Sequence, residues 1–291
     1  MSFPADVDRR TLFAGAAGAL GLRALTPGAA RQDPAPAAGR LRQSVARWCY
    51  PKIQLADLCR EAKAMGLESV ELLGEKEWGV VREHGLTCAV ANGPGPIHEG
   101  WNRIEHHDRL VAESERLLPL VKDAGIPNLI VFSGNRKGMD DEQGIANCVL
   151  GLKRVVGLAE KLGVTLVMEL LNSKVDHKDY LADRTSIGIR IVQGVASPRF
   201  RLLYDIYHMQ IMEGDVIRTI RAHKDAIAHY HTGGVPGRNE IDETQELNYR
   251  AIAQAIADTG FTGFVAHEFL PRRDPFTSLR QAQRICDLKR L

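Results

Sequence analysis

Eight strand-like segments, separated by helix-like segments, constrain the fold of this chain more than any other feature. Between these segments, apolar residues recur at helical spacing, as Leu55, Leu58 and Ala62 do. Glycine or proline separates most of the segments. The strand-like segments are short and rich in valine, isoleucine and leucine, and they comprise residues 44–49, 69–73, 87–91, 128–132, 165–170, 201–206, 227–231 and 264–269.

Regular alternation of strands and helices favours a parallel sheet, and eight such units close into a barrel. We therefore predict a single-domain α/β protein with a (β/α)8 TIM-barrel fold. The chain has 291 residues, and a barrel of this kind typically needs about 250. A doubly wound open sheet is the alternative, and it is less favoured because no Gly-x-Gly-x-x-Gly turn follows the first strand-like segment.

The first 40 residues differ in composition from the rest. Arg9 and Arg10 precede a glycine- and alanine-rich apolar run, which ends in small residues and a segment rich in proline and alanine. This layout predicts a twin-arginine signal, and hence export to the periplasm, with cleavage after Ala30 or Ala37. The alternative is a disordered basic N-terminus. We assign residues 1–40 to the leader and linker and residues 41–291 to the catalytic barrel.

Charge and cysteine content exclude several classes of function. The formal net charge is +2, which gives no electrostatic reason to expect a nucleic-acid partner. The apolar run of the leader is too short to span a membrane, which takes about 20 residues. The five cysteines are odd in number and scattered, so we expect buried thiols rather than disulfides or a zinc site.

Four consecutive strand-like segments end in an acidic residue or a histidine. The residues are Glu169, Asp205, His231 and Glu268, separated by 36, 26 and 37 residues. These intervals are close to one strand-helix unit of about 30 residues, so the four side chains are expected around one rim of the barrel. Converging buried carboxylates need a cation between them. Oxygen ligands with one nitrogen favour Mn²⁺ or Mg²⁺, with Co²⁺ or Zn²⁺ as alternatives.

Several segments resemble the hydroxypyruvate isomerases of the xylose isomerase-like TIM-barrel superfamily. Residues 204–214, with the sequence YDIYHMQIMEG, resemble a signature segment of that group, and residues 166–172, 237–242 and 268–271 resemble three further segments. The resemblance implies a metal site formed by Glu169, Asp205, His231 and Glu268. It also implies substrate contacts from His208 and Arg238.

Two departures from the family pattern leave the substrate open. Hydroxypyruvate isomerases tend to have glutamine at the position of His231, whereas the related ketose 3-epimerases have histidine. Those epimerases also carry an acidic residue three positions later, where this chain has Gly234.

The implied reaction is proton transfer through a cis-enediolate, with Glu169 and Glu268 as the catalytic acid and base. The metal acts as a Lewis acid on the carbonyl oxygen of a small carbohydrate or hydroxy-keto acid, as in the interconversion of hydroxypyruvate and tartronate semialdehyde. Arg238 suits a substrate carboxylate. Glu71 is expected either to line the pocket or to pair with a basic residue. Trp48 and Trp101 are expected either to stack on a sugar or to pack in the core or rim.

Three other functions are alternatives for a chain with this pattern. A ketose 3-epimerase or a keto-glycoside lyase would use the same site, and an exported enzyme meets glycans and glycosides readily. A phosphodiesterase of the AP-endonuclease type would need more histidines and a basic face. A non-catalytic sugar-binding protein would be expected to lose Glu169 or Glu268, and both are present. The residues leave open whether the chain forms a homo-oligomer.

Overall fold

Eight parallel strands form a nearly closed barrel in the computed structural model, which describes residues 41–288. They pair in the order β2-β1-β8-β7-β6-β5-β4-β3, which confirms the predicted single-domain (β/α)8 TIM barrel. The predicted leader, residues 1–40, lies outside the described residues. The strands are β1 (Arg42–Ala46), β2 (Ser69–Glu71), β3 (Val90–Ala91), β4 (Asn128–Val131), β5 (Thr165–Glu169), β6 (Phe200–Asp205), β7 (Ile227–Thr232) and β8 (Phe264–His267).

The seam of the barrel lies between β2 and β3, where isolated bridges replace a continuous ladder. Ser69 pairs with Thr87, and Leu73 pairs with Ala91. The backbone N–H of Ala89 donates to the Ser69 hydroxyl over 2.9 Å instead of to a carbonyl of the neighbouring strand. The predicted strand 87–91 is therefore reduced to two residues, β3, although the chain still closes the barrel there.

Helices follow the strands, as the apolar spacing predicts. The first of them buries Leu58, Ala62 and Met65 and ends at Gly66, which adopts a left-handed φ of 86°. The helices are α1 (Leu55–Met65), α2 (Glu75–Glu83), α3 (Ile104–Asp123), α4 (Asp141–Leu162), α5 (Thr185–Val195), α6 (Ile206–Met212), α7 (Val216–Ala222), α8 (Tyr249–Asp258) and α9 (Pro275–Cys286).

The first predicted strand, 44–49, is displaced towards the N-terminus. Strand β1 begins at Arg42 and ends at Ala46, and Arg47–Cys49 form a turn of 3-10 helix. This turn leaves the sheet and carries Trp48 to the rim of the barrel. Hydrophobicity alone could not separate the strand from the turn, because Trp48 and Cys49 in the turn continue the apolar pattern of the strand.

The apolar core has two layers. The larger one lies between the strands and the helices, and the smaller one fills the inside of the barrel. The prediction for the cysteines is confirmed, since all five are buried free thiols. Within residues 41–288, no helix has the length and apolar character that crossing a membrane requires. The inner layer consists of Ala89, Val90, Ile130, Val167, Leu203 and Phe264.

Candidate metal centre and active site

The ends of four neighbouring strands bring the four predicted ligands together. Glu169 and Asp205 are the last residues of β5 and β6, His231 lies in β7, and Glu268 directly follows β8. One ligand atom from each of the four lies within 4.8 Å of the others, and all four side chains are buried. Catalytic groups of TIM barrels come from this end of the strands.

The geometry of this group fits a divalent cation. The Nδ1 atom of His231 lies 2.9 Å from a carboxylate oxygen of Glu268 and 3.2 Å from one of Glu169. Three buried carboxylates converge on one imidazole, and the nearest guanidinium, that of Arg238, contacts Asp205 and Glu268. A set of oxygen donors with one nitrogen suits Mn²⁺ or Mg²⁺.

The carboxylates differ in their electrostatic surroundings. Burial raises the pKa of Asp205 to about 8, although Arg238 acts in the opposite direction. Burial also raises the pKa of Glu169. Burial acts to raise the pKa of Glu268 as well, but Arg238 and His231 hold it well below its ordinary value. Glu169 is therefore the easier of the two glutamates to protonate.

Arg238 reaches the site from the loop that follows β7. Its guanidinium Nη2 donates to Asp205 Oδ2 over 2.8 Å and also to Glu268. The backbone N–H of Leu270 donates to the Arg238 carbonyl over 2.7 Å. The nearby carboxylate of Glu240 accepts hydrogen bonds from the backbone of Arg272 and from Ser278, each over 2.8 Å. The loop is thus fixed to the segment that precedes α9 and to the first turn of α9.

His208 is in the first turn of α6, and its backbone N–H donates to Asp205, the N-cap of that helix, over 3.3 Å. Its side chain is fully buried. Burial and the nearby Arg238 lower the pKa of His208 well below its ordinary value, so the ring is neutral. The predicted substrate contacts, His208 and Arg238, therefore lie together beside the four ligands.

Asn172 determines how the His208 ring is oriented. The Oδ1 atom of Asn172 accepts the backbone N–H groups of Val175 and Asp176 over 3.0 and 2.9 Å. Its Nδ2 donor therefore faces Nδ1 of His208, at 2.6 Å. Arg238 Nη1, also a donor, lies 2.7 Å from Nε2. A neutral ring has one lone pair and can accept only one of these two hydrogen bonds.

A cavity of about 650 Å³ opens beside this group. One part of its wall is polar and includes Glu169, His208, Arg238 and Glu268. The remaining wall, contributed largely by the loops after β2, β3 and β4, is mostly apolar. Its apolar residues are Trp48, Leu72, Ile97, Ile130, Phe132 and Leu171.

Trp48 and Trp101, the two tryptophans considered for substrate stacking, have different positions. Trp48 is 43% exposed, lines the cavity, and donates its indole N–H to Glu268 over 2.6 Å. Trp101 is fully buried in the core. Only Trp48 is thus placed to contact a bound molecule, and the indole of Trp101 serves packing.

Glu71 pairs with basic residues and does not line the cavity. Its carboxylate contacts His229 and His231 at 2.8 and 2.9 Å. His229 was not singled out from the sequence as a site residue. The available signal was its position two residues before His231, which places both side chains on the same face of a strand.

The family follows from a match over most of the chain. Residues 59–287 match the family model described as "Xylose isomerase-like TIM barrel". The chain belongs to the xylose isomerase-like TIM barrel family. This membership agrees with the strand order and with the ligand group at the carboxyl ends of the strands.

Curated relatives are isomerases by name. A human protein named "Putative hydroxypyruvate isomerase" is 26% identical over 249 residues, which are 80% of this chain and 90% of the human one. A Haemophilus influenzae protein named "2-oxo-tetronate isomerase" is 24% identical over 243 residues, which are 79% and 93% of the two chains. With these relatives, the chain is assigned to the isomerases.

Solved structures share the fold. A protein from Brucella melitensis described as "AP endonuclease, family 2" aligns with a TM-score of 0.75 and 22% identity, over 82% of this chain and 97% of that chain. The E. coli "3-keto-D-glucoside 4-epimerase" aligns with a TM-score of 0.70 and 19% identity, over 84% of this chain and all of that chain. At these identities the likeness establishes the barrel fold alone.

Proposed function

We propose that this chain is a metal-dependent isomerase that interconverts the keto and aldehyde forms of a small sugar or sugar acid through an enediolate. The model reaction is the conversion of hydroxypyruvate to tartronate semialdehyde. The observation that carries this proposal is the convergence of Glu169, Asp205, His231 and Glu268 at the edge of the cavity. The names of the human and Haemophilus influenzae relatives support it.

The four converging side chains would hold the divalent ion. When bound, such an ion supplies Lewis-acid stabilisation of negative charge on a carbonyl oxygen. The remaining chemistry is proton transfer by the side chains around it. Glu268 is held as a carboxylate by Arg238 and His231 and can accept the carbon-bound proton. Glu169, whose burial favours the protonated form, can return a proton to the neighbouring carbon.

His208 and Arg238 bind the substrate in this account. Asn172 donates to Nδ1 of His208. When Arg238, which lies 2.7 Å from Nε2, turns to a substrate carboxylate, Nε2 can carry the ring proton and donate it to a substrate oxygen that gains negative charge. Arg238 is planar and permanently charged, which suits a substrate carboxylate. Its contacts with Asp205 and Glu268 support this role, because they place the guanidinium beside the proposed ligands.

The size of the cavity favours a second candidate on the same site. A volume of about 650 Å³ would hold roughly 20 water molecules at about 30 Å³ each, far more than a three-carbon acid fills. A ketose 3-epimerase or a keto-glycoside lyase would use more of this space and the same pair of glutamates. A non-catalytic sugar-binding protein is less favoured, because both glutamates point into the site.

A substrate panel tests the proposal. The protein is stripped with EDTA, reloaded with Mn²⁺ or Mg²⁺, and incubated with hydroxypyruvate, ketohexoses and 3-keto-glucosides, and the products are identified by NMR. Formation of the aldehyde product from hydroxypyruvate in the reloaded sample, and not in the stripped sample, supports the isomerase. Epimers or eliminated aglycone would support the second candidate instead. Full activity in the stripped sample would contradict the metal-dependent reaction.

A further inference from the structure

A second buried group lies directly behind the metal ligands. Glu71 of β2 and His229 and His231 of β7 are each fully inaccessible to solvent. One carboxylate oxygen of Glu71, Oε1, lies 2.8 Å from Nε2 of His229 and 2.9 Å from Nε2 of His231. The same histidine that faces Glu169 and Glu268 through Nδ1 thus contacts Glu71 through its other nitrogen.

The chemistry of a carboxylate determines which nitrogen of His231 is free. An ionised carboxylate only accepts hydrogen bonds. Oε1 of Glu71 lies within hydrogen-bonding distance of Nε2 of both histidines, and one oxygen can serve two N–H groups only as their acceptor. Nε2 of His231 therefore carries a proton, and Nδ1 is the atom available to a metal ion. His229 donates to the same oxygen and fixes the carboxylate in place.

We propose that Glu71, held in position by His229, is a positioning residue that presents Nδ1 of His231 to the metal ion. The inference rests on the proposed metal site and adds to it a carboxylate and a histidine that touch neither substrate nor ion. Carboxylates that accept the second N–H of a ligating histidine fix its ring and raise its basicity.

The same three side chains could themselves be a ligand group for a second ion, and two observations argue against this use. This group offers an ion two nitrogens and one carboxylate, which is fewer ligands than the four-residue group beside it offers. Neither Glu71 nor His229 lines the active-site cavity, so an ion has no entry path from it. We therefore expect one ion per chain.

Binding of Mn²⁺ tests the proposal without an activity assay. Isothermal titration calorimetry measures the affinity and stoichiometry of Mn²⁺ binding to the full chain. The natural protein is compared with Glu71→Gln and Glu71→Met. Loss of a carboxylate of this kind typically weakens metal binding by about 10- to 100-fold, and we expect that range for Glu71→Met and a smaller loss for Glu71→Gln. Equal affinity in all three proteins would overturn the proposal, as would a stoichiometry of two ions per chain.

His107→Asn is the matched control. His107 is also a buried histidine with a hydrogen bond from its ring, between Nε2 and the Trp101 carbonyl at 2.9 Å, but it is remote from the ligands in the sequence and the fold. We expect this variant to be less stable and to bind Mn²⁺ as tightly as the natural protein. A loss of affinity equal to that of Glu71→Met would mean that general destabilisation explains the effect.

A measurement on the natural protein covers the case in which the Glu71 variants fail to fold. In protein loaded with diamagnetic Zn²⁺, long-range ¹H–¹⁵N NMR of His231 should show a proton on Nε2 and none on Nδ1. A proton on Nδ1 would overturn the positioning role. If the natural protein binds neither Mn²⁺ nor Zn²⁺, the proposed function fails at its metal site. Normal binding with the wrong tautomer would reject the Glu71 inference alone.

Discussion

Glu169 and Glu268 have identical side chains and opposite electrostatic surroundings. Glu268 accepts a hydrogen bond from Trp48 and contacts Arg238 and His231, which stabilise its negative charge. Burial acts on both glutamates, but at Glu169, which contacts His231 at 3.2 Å, it prevails and raises the pKa. Different environments of two nearby carboxylates are a common means of separating an acid from a base.

The first prediction concerns Glu268→Gln. The amide keeps the size of the side chain but cannot accept a proton, so kcat should fall by about 10²- to 10⁴-fold. The assay uses saturating Mn²⁺, because the substitution also alters a ligand. Glu115→Gln, an exposed change on α3, serves as the control and should leave kcat unchanged. Turnover by Glu268→Gln at the natural rate would show that the base is another group.

Asn172→Asp is the second prediction, and it tests the orientation of His208. One carboxylate oxygen can keep the backbone hydrogen bonds from Val175 and Asp176, and the other replaces the donor that faces Nδ1. The variant also carries Asp176→Asn, because Asp176 Oδ2 accepts from Asn172 Nδ2 over 2.6 Å and would otherwise repel the new carboxylate. The ring proton should then move to Nδ1, and Nε2 should accept from Arg238. Loss of a donor to a developing oxyanion costs about 10²-fold in kcat. A ring proton that ¹⁵N NMR still finds on Nε2 alone would contradict the account.

For individual site residues, the sequence predicts those that end strands and misses those whose side chains connect strands far apart in the sequence. Glu169, Asp205, His231 and Glu268 could be found because the carboxyl ends of parallel strands share one rim. The link from Glu71 to His229 spans 158 residues. Nothing in the local pattern around either residue indicates its partner, and only the closure of the barrel brings them together.

The elements differ in how far their bounds could be predicted. Strands β4 to β8 lie close to the predicted segments because their apolar runs are continuous and bounded by glycine or proline. Three strands depart further from the prediction. Strand β1 gives way to a 3-10 turn at Arg47, β2 ends at Glu71 before Leu72 with its left-handed φ of 58°, and β3 is cut short at the seam. In each, local backbone geometry or a hydrogen bond ends the strand, and the hydrophobic pattern does not encode it.

The third prediction contrasts two glycines. Gly93 follows β3, and a methyl group there would lie 1.7 Å from the Ile130 carbonyl oxygen in β4. Gly93→Ala should therefore lower the free energy of unfolding by about 1–3 kcal/mol or more. Gly157 lies in helix α4 with no atom within 4 Å of such a methyl. Gly157→Ala should raise that free energy by about 0.5–1 kcal/mol. Urea unfolding of both variants checks the opposite signs.

Across the barrel, the residues that stabilise the fold and the candidate site residues occupy different regions. The inner apolar layer and the larger layer under the helices form the core, while the carboxyl ends of β5 to β8 carry the ligand group. The family match covers residues 59–287 and therefore includes all four predicted ligands and the predicted substrate contacts His208 and Arg238. It does not reach the leader, whose role stays a prediction.

The fourth prediction concerns export. We propose that residues 1–40 direct the folded chain through a twin-arginine route, on the basis of Arg9, Arg10 and the apolar run after them. In a bacterium with that route, the natural chain should appear in the periplasmic fraction in a shortened form. The double substitution Arg9→Lys, Arg10→Lys should keep it in the cytoplasm at full length. Equal periplasmic amounts of both chains would contradict this function of the leader.

The most direct test of the central claim, metal-dependent enolisation by this site, is hydrogen exchange followed by NMR in D₂O. Hydroxypyruvate and a set of ketoses are incubated with Mn²⁺-loaded protein, with EDTA-treated protein and with Glu268→Gln, and Mn²⁺ is removed before the spectra are recorded. The account predicts deuterium at a carbon next to the carbonyl of at least one substrate, in the loaded natural protein only. Exchange that persists at the same rate after EDTA treatment, or no exchange with any substrate, would contradict it.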